Sequence, residues 1–292
     1  MNLAEKFSEF VRAQESLAPF TLLRVGGTAQ FLAQPRSIDE LASLMRSAAE
    51  QKLPVRVLGV GSNVLVRDEG VQGVVLRLTA PAFTTVQIEG RKVRAGGGAP
   101  LAAIISASAG HGLAGLETLI GIAATVGGAV RSNAGDRSGE IGQYVRRVQV
   151  LDSKHQALWR EHEELQFREN RSNLDDPVIL SAEFELDSDV GEAIVKRLRK
   201  AWILRKAQQP HSLEPAARMF KNPQGGSAAK LIEAAGLGRT TVGGAEVSER
   251  NANYVVAKSQ CTARDVLRLI DLLRAKVKEL GGVSLEQELI VW

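Results

Sequence analysis

The sequence of 292 residues predicts an α+β fold, because short apolar strands, glycine-rich loops and capped helices alternate along it. A helix with one apolar stripe precedes a strand, and that strand runs into a small-residue loop at residues 59–63. The chain leaves this loop extended again. The order helix, strand, loop and strand indicates an α+β domain, and a further glycine cluster at residues 96–98 precedes the next predicted helix.

The predicted helices are marked by capping residues and by apolar stripes at helical spacing. Ser37 and Glu40 form a capping-box pattern at the start of the first helix. Thr262 and Asp265 repeat the pattern at the start of the last helix, which Gly281 follows. The helices are expected at residues 37–49, 100–111, 190–209, 227–235 and 263–280. The strands are expected at residues 54–57, 64–67, 74–76 and 254–256, near residue 242, and within an alternating segment between 145 and 186.

The loop at residues 59–63 carries two glycines, a hydroxyl and an amide. Such a loop exposes successive backbone N–H groups and lets a ligand come close, which suits a diphosphate. It is not the dinucleotide fingerprint of a βαβ unit, because position 64 is Val rather than a third glycine. Taken alone, the loop would equally suit a glycine-rich hairpin corner.

Composition excludes several classes of protein. Hydrophobic residues make up 44% and charged residues 24%, as in a folded globular protein. No apolar run is long enough to span a bilayer and the N-terminus lacks a signal-peptide layout, so a cytoplasmic location is expected. Cys261 is the only cysteine and the four histidines are scattered, so neither an internal disulfide nor a metal site is expected. The net charge is +4, but the basic residues are interleaved with acidic ones and aromatic residues make up only 4%. This pattern favours anionic nucleotide ligands over nucleic acid.

Three further stretches of small or polar residues are candidate ligand sites. Residues 24–27 lie between two strand-like runs, and alone they would suit an ordinary turn. Residues 121–135 allow close backbone approach to a large flat ligand, with Thr125 and Asn133 as polar handles; the alternative is a tightly packed helix N-terminus. Residues 220–226 combine a lysine, an amide and a predicted helix start, which suits a diphosphate; the alternative is a lysine on a surface turn.

Taken in order, these motifs resemble the UDP-N-acetylenolpyruvoylglucosamine reductase family, the UDP-N-acetylmuramate dehydrogenases. These flavoenzymes complete UDP-N-acetylmuramate synthesis for peptidoglycan. The resemblance extends from about residue 20 to residue 288, and the chain lacks an insertion of one branch, so it resembles the shorter type. The motifs that carry it are at residues 24–27, 59–63, 115–117, 127–135, 167–168, 220–223 and 285–288.

The resemblance implies an FAD-binding domain of the vanillyl-alcohol-oxidase (PCMH) type, built from two α+β subdomains, and a C-terminal α+β substrate-binding domain. On this basis the FAD-binding domain covers residues 1–205, with subdomains at about 1–78 and 79–205, and the substrate domain covers 206–292. A change in sequence character near residues 200–215 agrees with this boundary. The residues then expected to bind FAD are Arg24, Val25, Gly26, Gly27, Gly59, Val60, Gly61, Ser62, Asn63, Ala124, Thr125, Gly127, Gly128, Asn133 and Gly135.

The family's chemistry implies two half-reactions, in which NADPH reduces FAD and a hydride then adds to an enolpyruvyl ether. By resemblance, Arg168 and Glu288 occupy catalytic positions, and Lys221 and Asn222 meet the substrate diphosphate. The addition builds enolate charge, so the site requires a cation or hydrogen-bond donors and then an acid. The implied partner is a small-molecule UDP-sugar, with no nucleic acid and no membrane, and the protein is expected to be a monomer or weak oligomer.

Several positions depart from the family pattern. Arg218 stands where the family has a proton-donating Ser or Cys, and a guanidinium is a poor acid because it stays protonated. Arg218 would stabilise the enolate instead, leaving water or Glu288 to deliver the proton; Ser212 and Ser227 are further candidate donors. Ala123 and Ala124 replace Pro-Gly, which would strain the loop if the glycine had positive φ. Phe167 and Asn170 replace Tyr and Ser near Arg168.

Three functions remain open at this stage. The leading hypothesis is an FAD-containing, NADPH-dependent oxidoreductase acting on UDP-N-acetylglucosamine enolpyruvate, with activity in question because of Arg218. The second is a catalytically impaired homologue that binds a flavin or UDP-sugar in a regulatory or scaffold role. The third is a flavin oxidase of another substrate. It is less favoured because residues 220–223 and 285–288 belong to the reductase pattern and no histidine lies beside residues 24–27 to form a covalent flavin link.

Overall fold

The computed structural model describes residues 2–136, 138–210 and 214–292. The chain divides into two compact units, and it enters the second unit three times, the last time at Lys206. The first unit consists of Met1–Ala13, Phe31–Gly59 and Gln72–Arg205, and the second of Gln14–Gln30, Val60–Val71 and Lys206–Trp292. Two short segments from the N-terminal part of the sequence therefore group with the C-terminal residues.

Five of the eight α-helices in the described residues match predicted helices. The helices at Leu3–Lys6 and Pro81–Thr84 were not predicted, and the one at Val126–Arg131 was given only as an alternative. In chain order, the helices are α1 (Leu3–Lys6), α2 (Ile38–Glu50), α3 (Pro81–Thr84), α4 (Leu101–Gly110), α5 (Val126–Arg131), α6 (Gly191–Gln208), α7 (Ala228–Ala234) and α8 (Ala263–Gly281). Short 3₁₀ turns lie at Ala18–Phe20, Leu116–Leu119, Ile141–Gln143 and His162–Glu164. None of the described helices is long and apolar enough to cross a membrane.

The strands are mostly short. They are β1 (Val11–Ser16), β2 (Thr28–Ala33), β3 (Val55–Val57), β4 (Val64–Leu65), β5 (Val71–Leu76), β6 (Val86–Glu89), β7 (Lys92–Gly96), β8 (Leu113–Ala114), β9 (Gly135–Asp136), β10 (Gly139–Glu140), β11 (Val145–Leu151), β12 (Ala157–Glu161), β13 (Phe167–Arg168), β14 (Arg171–Ser172), β15 (Val178–Glu185), β16 (Asp187–Ser188), β17 (Ala216–Arg218), β18 (Thr241–Val242), β19 (Ala245–Val247), β20 (Tyr254–Ala257) and β21 (Ile290–Val291).

The helix caps confirm the predicted starts and correct two details. The Ser37 side chain accepts a hydrogen bond from the Glu40 N–H, but the Glu40 carboxylate binds Arg36 instead of closing a capping box. At α8 the capping box of Thr262 and Asp265 is complete. Gly281, expected beyond this helix, is its last residue, and the left-handed cap position is Gly282.

The first unit contains a five-stranded antiparallel sheet in the order β12-β11-β15-β7-β6. Apolar residues of α4 and α5 form one core with this sheet, among them Ile104, Val126 and Phe184. A second sheet, in the order β1-β2-β5-β3, packs with α2, whose buried stripe includes Leu41 and Leu44. The strand–loop–strand order predicted around residues 59–63 is thus present, with β3 parallel to β5.

The second unit is built on an antiparallel sheet in the order β17-β20-β19-β18. Helices α7 and α8 pack against it, and Val266, Leu269 and Leu273 form the buried stripe of α8. Strand β4 pairs in parallel with β21, so the segment 60–71 is joined to the last residues of the chain. This pairing explains why an early segment groups with the C-terminal residues. It was not predicted, because composition does not reveal strand partners that are distant in sequence.

Candidate functional site

The loop at residues 59–63 presents backbone donors without protein acceptors. Gly61 has a φ of +65°, and a Cβ atom there would lie 2.5 Å from the carbonyl oxygen of Phe20. The Leu22 N–H donates to the Gly61 carbonyl at 3.1 Å and holds the turn. Among the described residues, none accepts a hydrogen bond from the N–H groups of residues 59–63. The loop therefore has the free backbone donors that a bound diphosphate requires, and Gly61 lets it pack closely against Phe20.

Residues 24–27 lie beside the segment that follows β4. The Gly27 N–H donates to the Arg67 carbonyl at 2.9 Å, and a Cβ atom on Gly26 would lie 2.4 Å from the Val66 carbonyl oxygen. Val25 is buried in the core, whereas Arg24 is exposed. Residues 24–27 therefore pack against the chain just beyond the loop at residues 59–63.

Residues 124–128 form the start of α5 in the first unit. Thr125 caps this helix by accepting a hydrogen bond from the Gly128 N–H at 3.3 Å. The Gly127 N–H donates to the Gly97 carbonyl at 2.7 Å, so the first donors of the helix are used within the protein. A Cβ atom on Gly59 would lie 2.8 Å from the Thr125 hydroxyl oxygen. Glycine at position 59 thus permits the close contact of two predicted FAD segments.

The strain expected at Ala123 and Ala124 is absent. Neither residue has a positive φ; the left-handed position of this stretch is Gly121, at +81°. The Ala124 carbonyl accepts a hydrogen bond from the Leu101 N–H at 2.9 Å. Alanine therefore fits the local backbone, and the expectation of strain was wrong because it placed the unusual conformation at the wrong residue.

Asn133, expected to be a polar handle for the ligand, is buried and uses its amide within the protein. Its Oδ1 accepts from the Gly142 N–H at 3.0 Å, and its Nδ2 donates to Glu140 Oε2 at 2.6 Å and to the Arg168 carbonyl at 3.0 Å. The neighbouring Gly135 pairs with Glu140 across β9 and β10. Asn133 therefore connects the predicted FAD segment to the backbone of Arg168.

Arg168 lies on the short hairpin of β13 and β14, and its side chain is exposed. Within the described residues, its guanidinium has no hydrogen-bond or ion-pair partner. Asn170 occupies the left-handed turn position at a φ of 59°, which asparagine tolerates. Phe167 packs beside Gly142 and the core of the unit. The hairpin thus presents a cation with free donors for an anionic group.

In the second unit, Arg218 and Glu288 form an ion pair, with 3.0 Å between Arg218 Nε and Glu288 Oε2. Burial raises the pKa of the Glu288 carboxyl above its usual value, although the positive charges of Arg218 and Lys221 act in the opposite direction. The Lys221 ammonium contacts the Glu286 carboxylate. The arrangement places a partly buried carboxyl that retains its proton to higher pH beside a permanent cation.

Lys221 and Asn222 were predicted to bind the substrate diphosphate. They lie shortly after Arg218 in the sequence. Asn222 Oδ1 accepts a hydrogen bond from the Ala228 N–H at 3.1 Å and so supports the start of α7. The Ser227 hydroxyl, a candidate proton donor, accepts from the Lys230 N–H at 3.4 Å and caps the same helix. Ser212, the other candidate, lies outside the described residues.

Asn253 was not predicted from the sequence. This residue is 3% exposed, accepts a hydrogen bond from the Phe220 N–H at 3.0 Å, and donates to the Phe220 carbonyl at 2.7 Å. It holds the segment between Arg218 and Lys221. The sequence signal, an asparagine just before a strand, is also typical of ordinary turns.

Comparison with known proteins gives consistent matches along the chain. A family model described as the C-terminal domain of UDP-N-acetylenolpyruvoylglucosamine reductase matches residues 209–292, and an FAD binding domain model matches residues 29–159. These matches confirm the predicted fold class, an FAD-binding domain followed by a C-terminal α+β domain. They also identify the chain as an oxidoreductase with an FAD-binding domain.

Whole-chain relatives carry the same name. The chain is 40% identical over 283 residues to the UDP-N-acetylenolpyruvoylglucosamine reductase of Moorella thermoacetica, covering 97% of this chain and 93% of the relative. It is 35% identical to that of Rhodopirellula baltica, covering 100% and 97%. The crystal structure of the Thermus caldophilus reductase matches with a TM-score of 0.84 and 37% identity, covering 97% of this chain and 100% of that chain. The chain therefore belongs to the UDP-N-acetylenolpyruvoylglucosamine reductase family.

Proposed function

We propose that the protein reduces UDP-N-acetylglucosamine enolpyruvate to UDP-N-acetylmuramate with FAD and NADPH, in peptidoglycan precursor synthesis. The observation that carries this proposal is the partly buried Glu288 beside Arg218 and Lys221, in a chain of this family. A carboxyl with a raised pKa is suited to hold a proton for the substrate, and the adjacent cations are suited to anionic groups.

The residues present fit the flavin. The free N–H groups of residues 59–63 suit its diphosphate. Glycine at positions 26, 27 and 59 lets neighbouring protein segments pack closely, since a Cβ at each would meet protein atoms at 2.4 to 2.8 Å. When bound, FAD supplies the hydride after its reduction by NADPH. We propose that Val60, Ser62 and Asn63 contribute backbone donors and that Thr125 and Gly128 border the ring system.

In the proposed reaction, side chains of the protein stabilise the negative charge on the substrate and donate a proton to it. Addition of hydride to the enolpyruvyl double bond leaves negative charge on the substrate carboxylate and α-carbon. We assign Arg168 to the carboxylate, because its exposed guanidinium offers unpaired donors among the described residues. Glu288 then gives its proton to the α-carbon, and Arg218 holds the resulting carboxylate as an ion pair. Lys221 and Asn222 are assigned to the substrate diphosphate.

Other parts of the proposal concern the whole protein. We assign FAD binding mainly to residues 1–205, in subdomains of about 1–78 and 79–205, and substrate binding to residues 206–292. The partner is a small-molecule UDP-sugar, without nucleic acid or membrane, and the protein acts as a monomer or weak oligomer. We place it in the cytoplasm, where NADPH, the proposed reductant, is maintained.

A stopped-flow experiment in two halves tests the proposal. Purified protein loaded with FAD should lose flavin absorbance with NADPH and regain it when the enolpyruvyl substrate is added. UDP-N-acetylglucosamine, which lacks the double bond, is the matched control and should not restore the absorbance. Reduction without reoxidation would contradict the proposed substrate, and protein that takes up no FAD would contradict the assignment of the cofactor.

A further inference from the structure

The segment that carries Arg218 and Lys221 passes beyond the ladder of its sheet. Strand β17 pairs with β20 up to the register Arg218–Tyr254. The next backbone bond runs from the Met219 N–H to the Asn253 carbonyl at 2.9 Å. Beyond that bond, the N–H and carbonyl groups of Phe220 form hydrogen bonds with a side chain instead of with the backbone of a neighbouring strand.

That side chain is the amide of Asn253. It accepts from the Phe220 N–H at 3.0 Å and donates to the Phe220 carbonyl at 2.7 Å, so it satisfies both peptide groups of one residue. A primary amide has an NH₂ group that donates and a carbonyl oxygen that accepts, so it can replace the N–H and C=O groups of a neighbouring strand. Because Asn253 and Phe220 are both buried, removal of either bond leaves a peptide group without water to replace it.

On its other side, the same segment holds the residues that lead to Glu288. Phe220 forms an antiparallel bridge with Gln287, and the Lys221 N–H donates to the Glu286 carbonyl at 2.9 Å. The Glu288 N–H in turn donates to the Met219 carbonyl at 2.9 Å. A displacement of Phe220 would therefore move Glu288 together with its neighbours, and it would change the ion pair at 3.0 Å between Arg218 and Glu288.

We propose that Asn253 is a positioning residue for the transfer of hydride and proton to the substrate. Its amide fixes the backbone of Phe220, and through it the relative placement of Arg218, Lys221 and Glu288. Asn253 does not touch the reacting atoms in this scheme. The inference rests on the proposed function, since it is this reaction that requires the three charged groups in one arrangement.

Two variants of the full-length, FAD-loaded protein separate positioning from stability. Asn253→Ala removes both bonds. Asn253→Asp keeps the acceptor for the Phe220 N–H, but its carboxylate faces the Phe220 carbonyl until it takes up a proton, which then restores a donor. Burial and this repulsion raise the pKa of the introduced carboxyl toward neutrality. We expect flavin reduction by NADPH at the wild-type rate in both variants, and reoxidation by the enolpyruvyl substrate slowed at least about tenfold at pH 8.

The pH dependence supplies the signature that a purely structural role would not produce. Relative to wild type, reoxidation in Asn253→Asp should recover by at least about fivefold as the pH falls from about 8 to 6, and Asn253→Ala should show no such recovery. Val277→Ala, a truncation in the buried stripe of α8, serves as the stability control. It should lower the melting temperature without slowing reoxidation. Equal effects of the Asn253 and Val277 variants on reoxidation, or identical pH profiles of the two Asn253 variants, would overturn the proposal.

A readout independent of turnover distinguishes this inference from the proposed function. Amide hydrogen exchange of a peptide covering residues 216–222 should rise in both Asn253 variants and stay unchanged in Val277→Ala. If wild-type protein fails to reoxidise with the enolpyruvyl substrate, the proposed function fails. In that case UDP is the probe, and weaker UDP binding in the Asn253 variants but not in Val277→Ala would still support positioning, whereas unchanged exchange and binding would refute it.

Discussion

Burial and Arg218 act in opposite directions on the pKa of Glu288, the residue proposed to donate the proton. Burial raises the pKa of Glu288, and the cation 3.0 Å away lowers it, so the balance between them sets the pH at which the carboxyl is protonated. At the position where the resemblance implies a hydroxyl or thiol donor, this chain has Arg218, which keeps its proton near neutral pH. We therefore propose Glu288 as the proton donor, with water as the alternative. Whether turnover is slowed by Arg218 stays a prediction.

Arg218→Ala tests this balance without adding a hydroxyl that could donate the proton. Removal of the cation leaves the effect of burial on Glu288 unopposed by its nearest charge, so the pKa of Glu288 should rise further. The alkaline limb of the reoxidation rate should then shift to higher pH. The measurement is stopped-flow reoxidation of the reduced flavin between about pH 6 and 9. Arg239→Ala, at an exposed ion pair with Glu249 in the same unit, is the matched control and should leave the profile in place. A profile that does not move in Arg218→Ala would show that Glu288 is not the titrating group.

At the scale of elements, the N-terminus of α8 is held by two carboxylates from different places in the sequence. Asp68 accepts from the N–H groups of Ala263 and Arg264 at 2.8 and 3.0 Å. Asp265 accepts from the N–H groups of Thr262 and Gly244 at 3.1 and 3.2 Å. These two backbone bonds lower the pKa of Asp265, and both carboxylates lie at the positive end of the helix dipole. The capping box of Thr262 and Asp265 was predicted from the sequence, whereas the contribution of Asp68 was not.

Asp265→Ala should lower the free energy of unfolding by about 1–2 kcal/mol at pH 7, the usual effect of losing such a cap. The pKa of Asp265 is lower in the folded chain than the ordinary 3.8, so its stabilisation is present above that value and is lost as the pH falls below it. The difference from wild type should therefore shrink in urea unfolding at about pH 3 compared with pH 7. Asp271→Ala, an exposed ion-pair residue on the same helix, should cost less than about 0.5 kcal/mol at either pH. An Asp265 difference that stays constant with pH would contradict the assigned cause.

For the whole molecule, binding of FAD is linked to folding. A ligand that binds only the folded chain stabilises it by about 2.7 kcal/mol at a hundredfold excess over its dissociation constant. FAD should therefore raise the melting temperature in a concentration-dependent manner. This linkage makes thermal unfolding a measure of whether the protein binds the cofactor, and a variant of the loop at residues 59–63 then tests where it binds.

Gly61→Ala should abolish most of the FAD-dependent rise in melting temperature. Its φ is +65° and the new Cβ would lie 2.5 Å from the Phe20 carbonyl oxygen, so the loop has to move. Gly236→Ala is the matched control, because it has a φ of +70° with open space around the position of the Cβ. Both variants carry the cost of a left-handed alanine, but only Gly61→Ala should lose the response to FAD. An undiminished FAD shift in Gly61→Ala would place the cofactor elsewhere.

Several features followed from the sequence because their physical causes are local. Capping residues, apolar stripes and glycine turns act within a few residues, so the starts of α2, α4, α7 and α8 were predicted closely. The α+β fold class and the family followed from the order of short motifs along the chain. The loop at residues 59–63 was predicted to bind a ligand because two glycines with polar neighbours between extended segments expose backbone donors. The free donors are present, and binding of a ligand to them stays a prediction.

Other features were decided only by tertiary structure, because they depend on partners far apart in sequence. Pairing of β4 with β21 groups residues 60–71 with the C-terminal unit, and no local pattern encodes that pairing. Burial and distant partners determined that the Asn133 amide is hydrogen-bonded within the protein, and that Asn253 completes the peptide hydrogen bonds of Phe220. The pKa of Glu288 is likewise raised by burial and lowered in part by a charge seventy positions away in the sequence, Arg218. Local sequence thus determined the elements and the loop chemistry, whereas long-range packing determined which polar groups remain for function.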